Sequence, residues 1–349
     1  MSLALAQDDV LAGLRGAAEV MLAAQGPVGE IPWFDEGPWD PWNHAECVMA
    51  LAVMGELEAA DAGMDFLEAT QGADGAWLGE YGNALPMQDH VRIARIKAPA
   101  VKDSNFIAYP AVAVWHRYRL TGDAAAAKAR WPMVRAAIDF VVALQGAEGE
   151  IAWCAEAVGT GIDDAVLAGN ASIYASLGCA LKLADLVGES KPAWRAARAS
   201  LRRAILCAPH RFDRAGQDRS AYAMDWYYPI LAGAMAPAAA FARLETRVAT
   251  FLKPEMGCHC VSTEPWITVA ESSELALAAM RLGGRRQAAA LLDWQMAHRD
   301  SDGAFWMGWQ YEEAIVWPQE KPTWTQAAAI LATDALHGAT PAARVLVAE

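Results

Sequence analysis

The sequence is poor in cysteine and in basic residues, and both shortages narrow the kind of protein it encodes. Six cysteines in 349 residues are too few for a disulfide framework, so we expect an apolar core to hold the chain together. The 28 lysines and arginines are outnumbered by 42 aspartates and glutamates, which gives a net charge of −14. Nucleic acids and anionic membranes are bound through Lys and Arg, so this balance argues against both as partners.

Long apolar runs are also missing. No stretch reaches the roughly 18 uninterrupted apolar residues of a membrane-spanning helix, so we expect no membrane insertion. The first residues, MSLALAQDDVLAGLRG, lack a basic start, a long apolar segment and a small-residue cleavage site, so the sequence predicts no signal peptide. With few cysteines and no targeting signal, the expected location is the cytoplasm.

Alternating strand patterns are scarce, and apolar residues instead recur at three- and four-residue spacing along most of the chain. This spacing predicts an all-α protein. The predicted helices cover residues 8–25, 42–57, 59–71, 104–121, 124–145, 170–187, 191–207, 220–235, 237–252, 268–282, 285–298 and 322–337. Short glycine-containing turns join the two helices of a pair, and longer loops join one pair to the next.

The two helices of each pair differ in character. The first is apolar on all sides and the second has a polar face, which predicts an inner and an outer helix respectively. The predicted inner helices are 42–57, 104–121, 170–187, 220–235, 268–282 and 322–337. Six such hairpins predict an (α/α)₆ toroid that forms a single domain over residues 1–349, with helix 8–25 closing the ring and the long loops gathered around one pocket. An open α-solenoid is the alternative.

Three segments resemble the six-hairpin glycosidases of the glucoamylase type. They are Trp115–Asp123, Trp131–Phe140 and the start of the last predicted inner helix, Pro322-Thr-Trp324. The resemblance implies an (α/α)₆ fold and glycoside hydrolysis with inversion, in which the acid precedes the third inner helix and the base precedes the sixth. The carboxylates at those two places in this sequence are Glu156, Asp163 and Asp164, and then Glu312, Glu313 and Glu320.

A second resemblance points to isoprenoid chemistry. The segments Gln71–Trp77 and Gln145–Trp153, and Gln295 with Asp302–Trp306, are similar to the QW repeat of squalene cyclases and protein prenyltransferases. Residues 40–44, 223–229 and 260–266 also resemble parts of bacterial proteins labelled prenyltransferase. The chemistry fits less well: Gly161-Ile162-Asp163-Asp164 lacks the first Asp of the cyclase motif, and no magnesium-binding Asp-Asp-x-x-Asp motif is present.

Metal binding has one candidate segment, Cys258-His259-Cys260. Adjacent side chains cannot easily surround one tetrahedral ion without distant partners, so we expect no metal and no other cofactor. The longest loop holds Met87–His90 and the basic stretch Arg92–Lys97, which form either a lid or a solvated charge run.

The candidate site residues lie where the inner helices begin. Asp225 is the least easily explained of them, because it lies inside an apolar helix, where an unpaired carboxylate is costly unless it faces a pocket or meets a cation. The candidate catalytic carboxylates are Asp103, Glu156, Asp225, Glu271 and Glu320. Asp103 is also a natural helix N-cap.

Tryptophan is abundant, with 15 Trp against 8 Phe and 8 Tyr, and many of these residues lie near the long loops. Aromatic faces beside carboxylates and amides suit ligands with flat apolar faces and hydroxyl edges, although each ring also suits simple packing. The candidate substrate-binding residues are Trp42, His44, Asn105, Trp226, Tyr227, Trp266, Trp309 and Trp324. For His44, a hydrogen-bonded place in the core is the alternative.

These observations favour a carbohydrate-active enzyme, an inverting glycoside hydrolase that acts on a small glycan or glycoconjugate. An enzyme of the terpenoid cyclase or prenyltransferase kind, acting on an isoprenoid, is the first alternative. A non-catalytic binder of a sugar or lipid is the second. A pocket crossed by carboxylates about 6–10 Å apart would favour hydrolysis.

Overall fold

The computed structural model describes residues 10–35, 37–81, 101–156, 162–215 and 218–348. Most of them are helical. The helices are α1 (Arg15–Ala24), α2 (Pro41–Val53), α3 (Leu57–Thr70), α4 (Ser104–Ala108), α5 (Pro110–Thr121), α6 (Ala124–Ala129), α7 (Trp131–Ala143), α8 (Leu167–Val187), α9 (Pro192–Cys207), α10 (Ala223–Leu231), α11 (Pro237–Phe251), α12 (Val269–Arg281), α13 (Arg285–Gln295), α14 (Thr323–His337) and α15 (Val345–Ala348). The segment 87–97, discussed above as a lid, lies outside the described residues.

The inner helices form a closed ring. Each packs on the next in the order α2, α5, α8, α10, α12 and α14, and α14 packs back on α2. An outer helix covers each inner one: α3 covers α2, α7 covers α4, α9 covers α8, α11 covers α10, α13 covers α12, and α1 covers α14. The fold is therefore the all-α (α/α)₆ toroid, and the open solenoid is excluded.

Burial patterns explain which helices lie inside. The inner helix α8 buries residues on every side, as expected for a helix that is apolar all round. The outer helix α9 buries only Trp194, Ala197, Leu201 and Ala204, a single stripe at helical spacing. None of the helices among the described residues has the length and apolar character needed to cross a bilayer.

Three predicted helices are interrupted near a proline. The predicted helix 124–145 divides into α6 and α7 at Arg130, two residues before Pro132. The predicted helix 104–121 divides into α4 and α5 at Pro110, and the predicted helix 220–235 is reduced to Ala223–Leu231 with Pro229 inside it. Pro229 has no N–H to donate to the carbonyl oxygen of Asp225. The Arg243 Nη2 donates to that oxygen instead, over 2.6 Å.

Strands form in four of the long loops that join one helix pair to the next. The strands β3 (Leu252–Lys253), β4 (Gly257–His259), β5 (Trp266–Thr268), β6 (Gly308–Gln310) and β7 (Ile315–Val316) form one antiparallel sheet in chain order. Earlier in the chain, β1 (Val101–Asp103) pairs with β2 (Cys154–Glu156). Each sheet joins the loop before one inner helix to the loop before the next, so the loop-bearing face of the ring is stiffened by backbone hydrogen bonds.

The glutamine–glycine segments are structural turns. The Gln71 Nε2 donates to the Gly75 and Met133 oxygens, and the Gln145 Nε2 donates to the Gly149 and Ala197 oxygens in the same way. Gly75 has a φ of +85°, and a Cβ there would lie 2.5 Å from the Ala136 oxygen. Each glutamine thus ties its turn to the next outer helix, which explains why the pattern recurs.

Candidate active site

The inner helices all begin at one face of the ring. The first residue of α10 donates a backbone hydrogen bond to the Cys260 oxygen, in the loop that precedes α12. In the same way the start of α12 bonds to Met307, and the start of α14 bonds to Trp33. Helix N-termini leave N–H groups free to bind acceptors, so we take this loop-bearing face, called the entrance below, as the candidate site.

Two carboxylates at the entrance are fully occupied by helix capping. One oxygen of Asp40 accepts the N–H groups of Trp42 and Asn43, and one oxygen of Asp103 accepts those of Asn105 and Phe106. Their other oxygens accept indole N–H groups, from Trp33 over 2.6 Å and from Trp153 over 2.8 Å. Burial raises the pKa of Asp103 to about 6. Its contacts are nonetheless those of a structural N-cap.

Asp225 has fewer hydrogen-bond partners than Asp40 and Asp103, and it lies where two inner helices begin side by side. Its side chain is in the first turn of α10 and accepts the Ala168 N–H, in the first turn of α8, over 3.1 Å. The residue is 8% exposed, and within the described residues no cation lies at ion-pair distance from its carboxylate. Burial raises its pKa to about 6. A carboxyl group in this state can hold a proton near neutral pH and release it to a bound molecule.

Glu320 lies in the loop that leads to the last inner helix, three residues before α14 begins. Its Oε2 is buried and has no hydrogen-bond partner in the part of the chain that the structure describes. Burial raises the pKa of this carboxyl group, with no opposing hydrogen bond. The unfilled acceptor is the kind of group that binds a water or a sugar hydroxyl.

The remaining predicted carboxylates have other surroundings. Glu271 accepts a hydrogen bond from the hydroxyl of Thr268, the N-cap residue of α12, whose side chain makes no capping bond to the helix backbone. Glu156 is exposed at the end of β2. The other acid and base candidates are either exposed (Glu312, Glu313), paired with Arg214 (Asp163) or bound to backbone N–H groups (Asp164).

Three residues predicted to bind substrate lie in the core, and the prediction is wrong for them. Trp226 is stacked on Phe251 with ring centres 5.3 Å apart, and its Nε1 donates to the Arg243 oxygen. His44 is fully buried, accepts the Ile31 N–H at Nδ1 and bonds the Gly63 oxygen through Nε2. Tyr227 is also fully buried. The partners of Trp226 and His44 lie on outer helices, so these two side chains point away from the ring axis.

The other predicted binding residues remain available to a ligand. Trp42 is partly buried in the first turn of α2, and Asn105 is buried with its Oδ1 unpartnered among the residues described. Trp324 meets Trp33 and Phe34 edge to face, with ring centres 5.6 Å apart in each case. Trp266 and Trp309 lie on adjacent strands of the five-stranded sheet. Apolar faces and polar edges therefore surround the entrance.

A second layer of polar residues, one turn deeper, was not predicted. Glu46 on α2 accepts hydrogen bonds from the Trp42 Nε1 over 2.9 Å and the Tyr109 hydroxyl over 3.2 Å. Glu274 on α12 accepts those of the Tyr227 and Tyr228 hydroxyls. Burial raises the pKa of Glu46 to about 7 and that of Glu274 well above its usual value, and a charge on Glu46 disfavours one on Glu274. The available signal was their spacing, four residues after Trp42 and three after Glu271.

Below this layer the ring axis contains a cavity of about 60 Å³, room for a few waters. Glu46, Glu274 and Ser172 line its upper part, and Val345 and Leu346 of α15 line its lower part. Residues of α15 thus cover the end of the cavity away from the loops. In the ranges that the structure describes, no three His, Cys, Asp or Glu side chains are grouped to hold a metal ion.

Sequence comparison identifies a relative over nearly the whole chain. The MMP endo-(1,4)-3-O-methyl-alpha-D-mannosidase of Mycolicibacterium hassiacum is 42% identical over 327 residues, which cover 94% of this chain and 87% of the relative. The chain belongs to the family of this mannosidase. It is an enzyme, a glycoside hydrolase. No family model matches the sequence.

Solved structures show the same fold in other glycosidases and in an isomerase. A wild-type glycosidase aligns with a TM-score of 0.67 and 12% identity, covering 97% of this chain and 99% of that one. A GH63 mannosylglycerate hydrolase from Thermus thermophilus aligns with a TM-score of 0.65 and 12% identity over 92% and 99%. A D-mannose isomerase aligns with a TM-score of 0.64 and 11% identity over 92% and 96%.

The mannosidase family membership favours the glycosidase resemblance over the isoprenoid one. The interpretation of the Gln-Gly-Trp segments as a QW repeat and the prenyltransferase label find no support among these relatives. The segments instead form the turns of the glycosidase-like ring described above.

Proposed function

We propose that this protein cleaves internal α-1,4 linkages in chains of 3-O-methylmannose. The observation that carries the proposal is the 42% identity to the mannosidase named for that activity, over 94% of the chain. The aromatic entrance supports it. O-methylation makes a sugar less polar, and Trp42 and Trp324 offer apolar ring faces to such a sugar.

We assign the general acid to Asp225 and the general base to Glu320. Glu320 precedes the sixth inner helix, where the glucoamylase resemblance implies the base. Asp225 lies in the fourth inner helix and accepts a hydrogen bond from the start of the third, beside the loop where the resemblance implies the acid. In this mechanism the Asp225 carboxyl gives its proton to the glycosidic oxygen as the bond from that oxygen to the anomeric carbon breaks. The Glu320 carboxylate takes a proton from a water, whose oxygen bonds to the anomeric carbon from the opposite face.

The environments of the two groups suit these roles. Burial without a cationic partner favours the protonated form of Asp225, which an acid needs. Glu320 is less enclosed, and its unpartnered Oε2 offers an acceptor for the attacking water. Its raised pKa also makes it a stronger base once it is ionised. Inversion follows because acid and base act from opposite faces of the sugar ring.

The test is hydrolysis of a purified 3-O-methylmannose oligosaccharide, followed by mass spectrometry of the products and NMR of the newly formed anomer. We expect internal cleavage with a β-configured product first, and a fall in kcat of about 10²-fold or more in D225N and in E320Q. D139N is the control, because Asp139 binds the Trp194 indole between outer helices. An intact oligosaccharide would refute the proposed substrate, and full activity in D225N or E320Q would refute the assigned residue.

A further inference from the structure

The deep layer of the ring joins two carboxyl groups to an aromatic cluster. Trp42 lies at the centre, with ring centres 5.5 Å from Phe106, 5.7 Å from Tyr109 and 5.8 Å from Tyr228. Glu46 accepts the indole N–H at the edge of the Trp42 ring. The contact with Tyr228 is edge to face, with an interplanar angle of 89°. The indole is therefore held from its edge and from one side.

The carboxyl groups of this layer do not cap helices, as Asp40 and Asp103 do at the entrance. Glu46 and Glu274 bind only side-chain donors, all from Trp or Tyr, and neither forms an ion pair within the described residues. A buried carboxyl group without a cation lowers the stability of the folded protein. A well-packed apolar side chain in its place would leave the protein as stable or more stable. Their presence therefore calls for a role other than stability.

We infer that Glu46 and Glu274 are positioning residues that hold Trp42 as the sugar-stacking floor of the active site. Glu46 holds the indole directly, and Glu274 holds it through the hydroxyl and ring of Tyr228. The inference rests on the proposed function, in which a methylated sugar lies on the entrance side of Trp42. An indole ring that is already fixed loses little conformational entropy when the sugar binds. Fixing it therefore increases the affinity for the sugar.

The protonation state of the pair fits this role. Burial raises the pKa of both groups, and the charge on Glu46 raises that of Glu274 further, so the pair holds at least one proton near neutral pH. The floor of the site then has little net charge and does not repel the proposed base. A neutral or singly charged pair still accepts hydrogen bonds from the indole and the tyrosine hydroxyls.

The experiment compares E46L, E46Q and W42F in hydrolysis of the same oligosaccharide. E46L removes the acceptor for the indole, so we expect KM to rise about tenfold or more while kcat stays within about threefold. E46Q keeps an acceptor oxygen in place, so we expect it to restore KM to within about threefold of wild type. In W42F the N–H is already absent, so adding E46L should change KM by less than about threefold.

A matched control is available on the outer surface. Glu189 accepts the Trp131 indole N–H over 2.7 Å, the same contact far from the ring axis, and E189L should leave KM and kcat unchanged. An unchanged KM in E46L overturns the inference, as does a loss confined to kcat or an equal loss in E46L and E46Q. If E46L does not fold, W42F and E46Q decide alone: KM must rise in W42F and stay near wild type in E46Q. Failure of wild type to cleave the oligosaccharide contradicts the proposed function instead.

Discussion

The entrance and the deep layer of the ring bury carboxyl groups in different ways. At the entrance, Asp40 and Asp103 are bound by the free N–H groups of helix N-termini. One turn deeper, those N–H groups are used within the helices, so Glu46 and Glu274 depend on donors from Trp and Tyr side chains. A carboxylate at a helix N-cap is therefore weak evidence of function, and one in the second turn is stronger evidence.

The comparison also separates two aspartates that share a pKa of about 6. Burial is the main cause for both Asp103 and Asp225. Both oxygens of Asp103 are occupied, whereas Asp225 accepts one backbone N–H from a neighbouring helix. A raised pKa shows only that a group is buried, and the unfilled hydrogen-bonding capacity identifies the candidate acid.

The largest expected effect is on the pH dependence of the reaction. Because Asp225 must be protonated to act, kcat/KM should fall about tenfold per unit as pH rises above about 6. The pH–rate profile of D103N should keep this fall, since Asp103 acts as a cap, and D103N should lose about 1 kcal/mol of stability. If kcat/KM of D103N no longer falls at high pH, Asp103 is the general acid and the assignment of Asp225 is wrong.

A smaller effect concerns stability and the deep layer. The pKa of Glu46 is raised from 4.5 to about 7 in the folded protein, so folding takes up a proton between these pH values. The stabilising contribution of this group is complete below about pH 4.5 and is lost as pH rises to about 7. In wild type, this group lowers the free energy of unfolding by up to about 1.4 kcal/mol for each pH unit between these values. E46Q cannot titrate, so we expect its free energy of unfolding to lack this fall. Urea unfolding at several pH values measures it, and an unchanged slope contradicts the assignment.

The smallest effect separates the ring's turns from its site. Q145A removes the hydrogen bonds to the Gly149 and Ala197 oxygens, so we expect a loss of about 1–3 kcal/mol of stability. Activity below the melting transition should stay at the wild-type level, because this turn lies between outer helices. Thermal unfolding and initial rates measure the two quantities. A loss of activity without a loss of stability would contradict the structural role of the glutamine.

The sequence predicted where in the chain the candidate site lies. It did not predict which side chains belong to the entrance, to the deep layer or to the core. The apolar helices, the long loops before them and the unusual place of Asp225 all pointed to one face of a ring. Trp226 and Tyr227 directly follow Asp225, and because a helix turns by about 100° per residue, their buried side chains point in other directions than its carboxylate. Glu46 was not predicted, since one of its two partners, Tyr109, comes from another hairpin.

The amino-acid sequence by itself determined the all-α class and the alternation of inner and outer helices, because both depend on local periodicity and on glycine at turns. Only the tertiary structure decided which carboxylates cap helices, which have an oxygen without a hydrogen-bond partner among the described residues, and which form a pair at the ring axis. Those distinctions depend on donors contributed by residues far apart in the chain, such as Ala168 for Asp225 and Tyr228 for Glu274. Local sequence carries no information about such partners until the ring closes.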